Sequence, residues 1–371
     1  MNQSDLLYPL LGETGLETPM VICPPADGWR RLIGHLVDRA VNHRRADRLL
    51  PADRELVIWR PSPGRWPRFP RLRQRLLAGA MYVQLPHNSP IDSIRRQEEF
   101  VPSDHPRAGS GGGLHQIGTQ RGRAVLLRLG SIDTSGDPGR HYEALQAISR
   151  PVVPAALATG TRDMVRWTLE GFVDGRRVDK LTAAMTEQVS DFLCDLPRSS
   201  EPITAIESSA GVLASATTAV DIKGVATIID GATGNLPAVV AHGDLWSGNL
   251  LFHNGELTGI VDWDSWLERA VPGTDLLHLR AEEIRRSGGM AYGDLVADGF
   301  WARPDVAGLI GTYMRRLDIP WDGRLLPVIG WAWWLTTTAG ALTRTPALAG
   351  DGEWMARNVI DPGRLITRQL R

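Results

Sequence analysis

The sequence predicts a mixed α+β protein: a small strand-rich lobe, a larger helical lobe after it, and a small α/β extension in front. Three observations carry this. Residues 101–113 (VPSDHPRAGSGGG) are rich in Pro, Ser and Gly and mark a change of pattern. Apolar strand patterns follow as far as Asp174 and Gly175. Beyond that turn the chain reads mostly as helix, interrupted by one hairpin. The expected divisions are residues 1–104, 105–172 and 173–371.

Taken in order, residues 29–41 (WRRLIGHLVDRAV) have apolar positions at helical spacing. ELVIW (55–59) and AMYVQL (80–85) are strand patterns, so helix and strand alternate in an α/β unit. Between them residues 60–75 hold six arginines, four prolines and no acid. Interleaved Trp66 and Phe69 give that run a superficial likeness to a nucleic-acid arm, but its prolines and short length favour a basic surface loop. AVLLRLG (124–130) is a compact apolar strand, GRHYEALQAI (139–148) a helix and VRWTLEGFV (165–173) a further strand. VIGWAWWLTTTAGAL (328–342) is too short for a bilayer and holds three threonines, which predicts a buried helix of a water-soluble core.

Composition excludes several classes. The chain has 371 residues, 43% hydrophobic and 22% charged, with net charge −1, so no global field draws it to nucleic acid or membrane. Lys180 and Lys223 are its only lysines, which leaves few candidates for a catalytic lysine. Cys23 and Cys194 have neither metal-binding nor disulfide spacing, so a reducing cytoplasm is the expected compartment. The N-terminus lacks the basic start and apolar run of a signal peptide.

The chemistry gathers in HGDLWSGNLLFHNGELTGIVDWD, residues 242–264. NLLF and LTGIVDW flank an Asn254-Gly255 pair, which favours the positive φ angles of a tight hairpin turn. Folding back brings Asn249, before the first strand, near Asp262, at the end of the second, with Asp244 in the entering loop. Mg2+ prefers oxygen ligands and keeps one or two protein carboxylates beside nucleotide phosphates. Asp262 and Asn249 can supply such oxygens, leaving Asp244 to orient a hydroxyl and take its proton. A solvated hairpin with surface acids is the plainer alternative, and the ordered spacing argues against it.

His242-Gly243-Asp244, Asn249 and Asp262-Trp263 together resemble the catalytic core of the aminoglycoside phosphotransferase and choline kinase superfamily, which has a bilobal protein-kinase-like fold. HGDLWSGN is especially similar to fructosamine kinases and related sugar-directed members. The resemblance covers residues 105 to about 290. It implies an ATP- and Mg2+-dependent kinase with Asp244 as base and Asn249 and Asp262 as metal ligands. It also implies that Asp275 of PGTDLLHL braces the catalytic loop through backbone N–H groups; His242 reads as a structural loop residue, since its neighbour Asp244 already fills the acid–base role.

The same resemblance assigns the small lobe. Gly111, Gly112 and Gly113 of the GSGGG run become the phosphate loop, although such a run is equally a linker. Arg128 stands where protein kinases have lysine, and Glu143 on the YEAL helix becomes its partner, against a plain reading as a surface acid. Backbone groups of Glu170 and Phe172 in TLEGFV become the adenine-holding hinge.

Trp331, Trp333, Trp334 and Trp354 read mainly as core, with an aromatic wall for an acceptor as the alternative. Asp264, Glu268, Glu282 and Glu283 are candidates to hold an amino group, or solvated helix acids. The expected acceptor is a small-molecule hydroxyl on an amino sugar, aminoglycoside or other sugar-like compound. The competing reading is a catalytically weak nucleotide-binding module that regulates its N-terminal part or a partner; retained base and metal positions argue against it. A methyltransferase-like unit in residues 1–104 is too short for a whole cofactor fold.

Overall fold

A computed structural model describes residues 90–103, 107–108, 114–132, 137–162 and 165–369, together with strands at 21–22, 55–59 and 81–85. The helix expected at 29–41, the arginine run at 60–75 and the proposed phosphate-loop glycines Gly111, Gly112 and Gly113 lie outside the described residues. The chain divides into two compact units, residues 1–142 with 156–172, and residues 143–155 with 173–371.

The first unit is built on one sheet. Its strands are β1 (Val21–Ile22), β2 (Glu55–Trp59), β3 (Met81–Leu85), β4 (Phe100–Pro102), β5 (Arg107–Ala108), β6 (Leu114–Gln120), β7 (Arg123–Ser131), β8 (Ala156–Arg162) and β9 (Val165–Gly171). Their order is β1-β3-β2-β5-β6-β7-β9-β8, with β4 also paired to β6. β2 joins β5 in parallel at Ile58 and Arg107, so the strands of residues 1–104 continue the sheet and do not close on themselves. Val125, Leu127 and Leu129 of β7 alternate into the core with Val165, Trp167 and Leu169 of β9. Edge strand β8, ALATGTR, is mostly small and polar, which explains why its sequence gives little strand signal.

Helices dominate the second unit. α1 (Pro90–Gln97) belongs to the first unit, and α2 (Pro138–Ile148) runs from one unit's residues into the other's. Then come α3 (Ala183–Cys194), α4 (Ala205–Ala216) and α5 (Ile222–Thr233). Thr182 and Asp221 cap α3 and α5, their side-chain oxygens accepting from the N–H groups of Met185 and Gly224. A small sheet of β10 (Arg198–Ser199), β11 (Ala238–Ala241) and β14 (Leu267–Ala270) flanks the hairpin of β12 (Leu250–His253) and β13 (Glu256–Ile260) in sequence. α6 (Thr274–Gly288), α7 (Tyr292–Asp298), α8 (Pro304–Arg316) and α9 (Leu326–Arg344) follow.

α9 holds the expected buried helix. Trp331, Trp333 and Trp334 are all buried in it, as core residues. Its threonines are compatible with burial because their hydroxyls donate back along the helix, Thr336 to Ala332 O and Thr338 to Trp334 O at 2.9 and 2.6 Å. Among the described residues no helix is long and apolar enough to cross a membrane.

Candidate active site

The hairpin forms as its sequence dictates. Asn254 and Gly255 both take positive φ, 51° and 88°, and His253 pairs with Glu256 across the turn. The ladder pairs Leu250 with Ile260, and the N–H of Val261 donates to Asn249 O at 2.9 Å. Asn249 and Asp262 therefore stand at the same open end of the ribbon. Asp262 adopts a left-handed conformation, φ 70° and ψ 54°, which a short polar side chain tolerates and which turns the chain out of the strand.

The preceding loop is fixed from beneath. The Asp275 carboxylate, in the first turn of α6, accepts the N–H of His242 at 2.7 Å and that of Gly243 at 3.0 Å. Burial pushes the Asp275 pKa up, against the opposing effect of these two N–H groups. Gly243 has φ 76°, and a Cβ there would collide with the carbonyl oxygen of Ser265. His242 is buried; its Nε2 donates to Val261 O at 2.9 Å, and its Nδ1 accepts from the Asp244 N–H at 3.3 Å. Its ring therefore ties the loop to the hairpin as a neutral tautomer. Asn249 donates from Nδ2 to Asp244 O at 3.0 Å, so loop and ribbon brace each other.

The Asp244 carboxylate meets two side chains from separate helices. His278 Nε2 of α6 lies 3.3 Å and Arg344 Nη2 of α9 lies 3.4 Å from the same oxygen, Oδ1. Burial would push the Asp244 pKa up, but His278 and Arg344 outweigh it and hold the carboxyl well below the ordinary range. Arg344 also donates to Ser265 Oγ at 2.9 Å.

A divalent cation held with nucleotide phosphates needs few protein oxygens. Among the described residues no three His, Cys, Asp or Glu side chains converge as an all-protein metal cage would need. The pair at the ribbon's open end fits the lesser requirement. Asn249 commits its amide nitrogen to Asp244 O, which leaves the amide oxygen as the end suited to a hard cation, and Asp262 adds a carboxylate.

In the first unit Arg128 has a buried partner. Glu143 was expected to pair with Arg128, but it is exposed on α2. The α2 residues that turn inward are His141, Ala144, Leu145 and Ile148, at helical spacing, and Glu143 falls off that stripe. The carboxylate on Arg128 is Glu170's, with Nε to Oε1 at 3.1 Å, both side chains buried. The other Glu170 oxygen meets His141 Nε2. Burial raises the Glu170 pKa, but Arg128 and His141 more than reverse this and bring it to about 2. The backbone at the expected hinge takes part in the sheet. Glu170 pairs with Leu126 on one side and Ala156 on the other, so its backbone belongs to the ladder. The N–H of Phe172 donates to Ala124 O at 3.1 Å and is likewise spent. The Glu170 side chain, His141 and His278 were not singled out from the sequence. A glutamate in a strand that is mostly buried was the one available signal for Glu170.

Two of the four amino-group candidates, Glu282 and Glu283, are engaged in ion pairs. Glu282 pairs with Arg285 and accepts from the Tyr292 hydroxyl at 3.0 Å. Glu283 pairs with Arg280, which also reaches Asp305 at 2.6 Å.

No curated protein matches the chain. Among solved structures, the aminoglycoside-3'-phosphotransferase of type VIII overlaps 67% of this chain and 97% of its own, at 16% identity and TM-score 0.45. APH(3'')-Id from Streptomyces rimosus ATCC10970 overlaps 67% and 97%, at 17% identity and TM-score 0.42. The apo form of a thermostable mutant of aminoglycoside phosphotransferase APH(4)-Ia overlaps 75% and 98%, at 14% identity and TM-score 0.46. Overlaps this loose carry no argument about function. The family comparison does: residues 116–309, more than half of the chain, match the phosphotransferase enzyme family (APH). That span takes in Arg128, Asp244, Asn249, Asp262 and Asp275. The chain belongs to the phosphotransferase enzyme family.

Proposed function

We propose that the protein transfers the γ-phosphoryl group of ATP, with Mg2+, to a hydroxyl of a small sugar-like molecule. The observation that carries this reading is the braced loop and ribbon: Asp244, Asn249 and Asp262 gathered around one hairpin end, with Asp275 and His242 holding the backbone beneath them.

Asp244 is the residue that meets the acceptor. Its carboxylate stays ionised, so it is a weak base. That suits a loose transition state, in which the hydroxyl proton is released late and orientation of the attacking oxygen counts most. Asn249 and Asp262 would hold Mg2+, which when bound neutralises charge on the nucleotide phosphates. Arg128 is assigned to nucleotide phosphate, with Glu170 and not Glu143 keeping its guanidinium in place.

For the acceptor, the in-chain pairing of Glu282 with Arg285 and Glu283 with Arg280 favours sugar-like compounds of low positive charge over polycations. A cytoplasmic location accords with the cysteine usage, Cys194 being a free thiol.

The test is ADP release from ATP with purified protein across sugars, amino sugars, ketosamines, aminoglycosides and choline, with and without Mg2+. At least one hydroxyl compound should stimulate release in a Mg2+-dependent manner. Asp244→Ala should lower that rate by about 10²–10⁴-fold while nucleotide still binds. Near-wild-type turnover by the Asp244→Ala protein would end this reading. Nucleotide binding indifferent to Mg2+, with no turnover, would favour the regulatory module instead.

A further inference from the structure

We infer that His278 and Arg344 are positioning residues that clamp one oxygen of Asp244, Oδ1, and thereby present the other, Oδ2, to the acceptor hydroxyl. The inference rests on the proposed role of Asp244 and adds to it two side chains that neither the HGD loop nor the hairpin contains.

The geometry is specific to one oxygen. His278 Nε2 and Arg344 Nη2 approach Oδ1 from α6 and α9, at 3.3 and 3.4 Å. The printed approach of each side chain is thus to the same carboxylate oxygen. The loop fixes the Asp244 backbone at both of its polar groups, N–H to His242 Nδ1 and C=O to Asn249 Nδ2. What remains free is rotation of the side chain, and that is the freedom the clamp removes.

A hydrogen-bond argument sets the proton on His278. Trp333 Nε1–H is a donor only, and it points at His278 Nδ1 at 3.3 Å. Nδ1 must then be the accepting, unprotonated nitrogen, so the neutral ring carries its proton on Nε2, which faces Asp244. His278 is buried, and Nε2 has no other acceptor among the described residues. The Nε2 to Oδ1 approach lacks the alignment of a full hydrogen bond. A small rotation of the Asp244 side chain on engaging an acceptor completes it, as catalytic contacts that are loose without substrate commonly tighten with it. Arg344 adds a permanent charge, is itself anchored on Ser265 Oγ, and keeps a share of its side chain, 28%, exposed to solvent.

The two contributions differ in kind. His278 supplies a buried donor whose position is inherited from packing: its ring neighbours Tyr292, and Trp333 packs edge-on against Phe300 at 4.9 Å. Arg344 supplies charge from the last turn of α9. Their role in the clamp is to position Asp244, so removing either should lower the rate of transfer more than the affinity for nucleotide.

The experiment compares His278→Phe, His278→Gln, Arg344→Gln and Asp244→Asn in the full chain, using ATP with Mg2+ and water as the acceptor, or the best hydroxyl compound of the panel above. kcat, KM for ATP and Tm are measured for each. His278→Phe and Arg344→Gln should lower kcat by about 10- to 100-fold with KM for ATP within about three-fold, the range that misplacement of a reacting group produces. His278→Gln, which restores an N–H donor of similar reach, should recover most of the loss. A kcat within two-fold of wild type in folded His278→Phe and Arg344→Gln, beside an inactive Asp244→Asn, overturns the clamp and leaves the role of Asp244 standing. Full turnover by Asp244→Asn overturns the underlying reading instead. If loss of the Trp333 contact unfolds His278→Phe, Arg344→Gln, at a partly exposed position, decides alone by the same kcat criterion.

Discussion

At the scale of single residues, Gly243 and Gly255 make an informative pair. Both have positive φ, 76° and 88°, but only Gly243 has no space for a side chain; around Gly255 it is open. Gly255→Ala should cost about 1–2 kcal/mol, the penalty of a left-handed L-residue, and leave turnover intact. Gly243→Ala adds a collision with the Ser265 carbonyl that moves the HGD backbone, so it should lower both Tm and kcat. Equal turnover in the two variants would show that the loop tolerates displacement. Glu170 offers a test by pH. Its folded pKa of about 2 lies below its ordinary 4.5. A carboxyl depressed on folding contributes stability that is present above the higher value and is lost as pH falls toward the lower one. Glu170→Gln should therefore be destabilised by about 3 kcal/mol at neutral pH, where it breaks a buried pair, and the gap to wild type should close on acidification. Thermal melts from neutral pH down to about pH 3 would show this; a gap independent of pH would contradict it.

At the scale of elements, the loop entering the hairpin is held by Asp275 at two successive N–H groups. Asp275→Ala removes the acceptor from two backbone N–H groups at once and should cost about 2–4 kcal/mol, with Asp275→Asn, which keeps one oxygen, near half of that. Chemical denaturation of the two variants would measure the ratio, and equal costs would assign the effect to charge instead of to hydrogen bonding. This element was readable in the sequence because local rules set it: Asn254-Gly255 dictates the turn, and the turn dictates that Asn249 and Asp262 meet. α2 shows the opposite case. Its existence was plain from GRHYEALQAI, but the identity of the ion pair depended on which face turns inward, and the inward stripe begins at His141 and passes Glu143 by. Side-chain partners across strands, such as Arg128 with Glu170, depend on register that no local pattern encodes. β8 escaped notice because an edge strand of small residues buries too little to impose alternation.

For the whole molecule, the tryptophans of α9 join core to chemistry. Trp333 is fully buried, and its indole holds the His278 ring. Trp333→Phe should cost about 1–3 kcal/mol through the lost hydrogen bond and volume, and it should also reduce kcat, because His278 Nδ1 then keeps only the Thr337 hydroxyl, at 3.4 Å, of the two groups that hold it. A variant that is destabilised but catalytically unchanged would confine Trp333 to packing. The central claim remains the convergence of one amide and two carboxylates at the end of a hairpin. Its most direct measurement is a crystal structure of the protein with ADP and Mn2+, read by anomalous scattering. The account predicts a peak at coordination distance, about 2.1 Å, from oxygens of Asn249 and Asp262, with Asp244 close by but outside the coordination shell. A manganese peak elsewhere, or nucleotide bound with no metal at that pair, would contradict it.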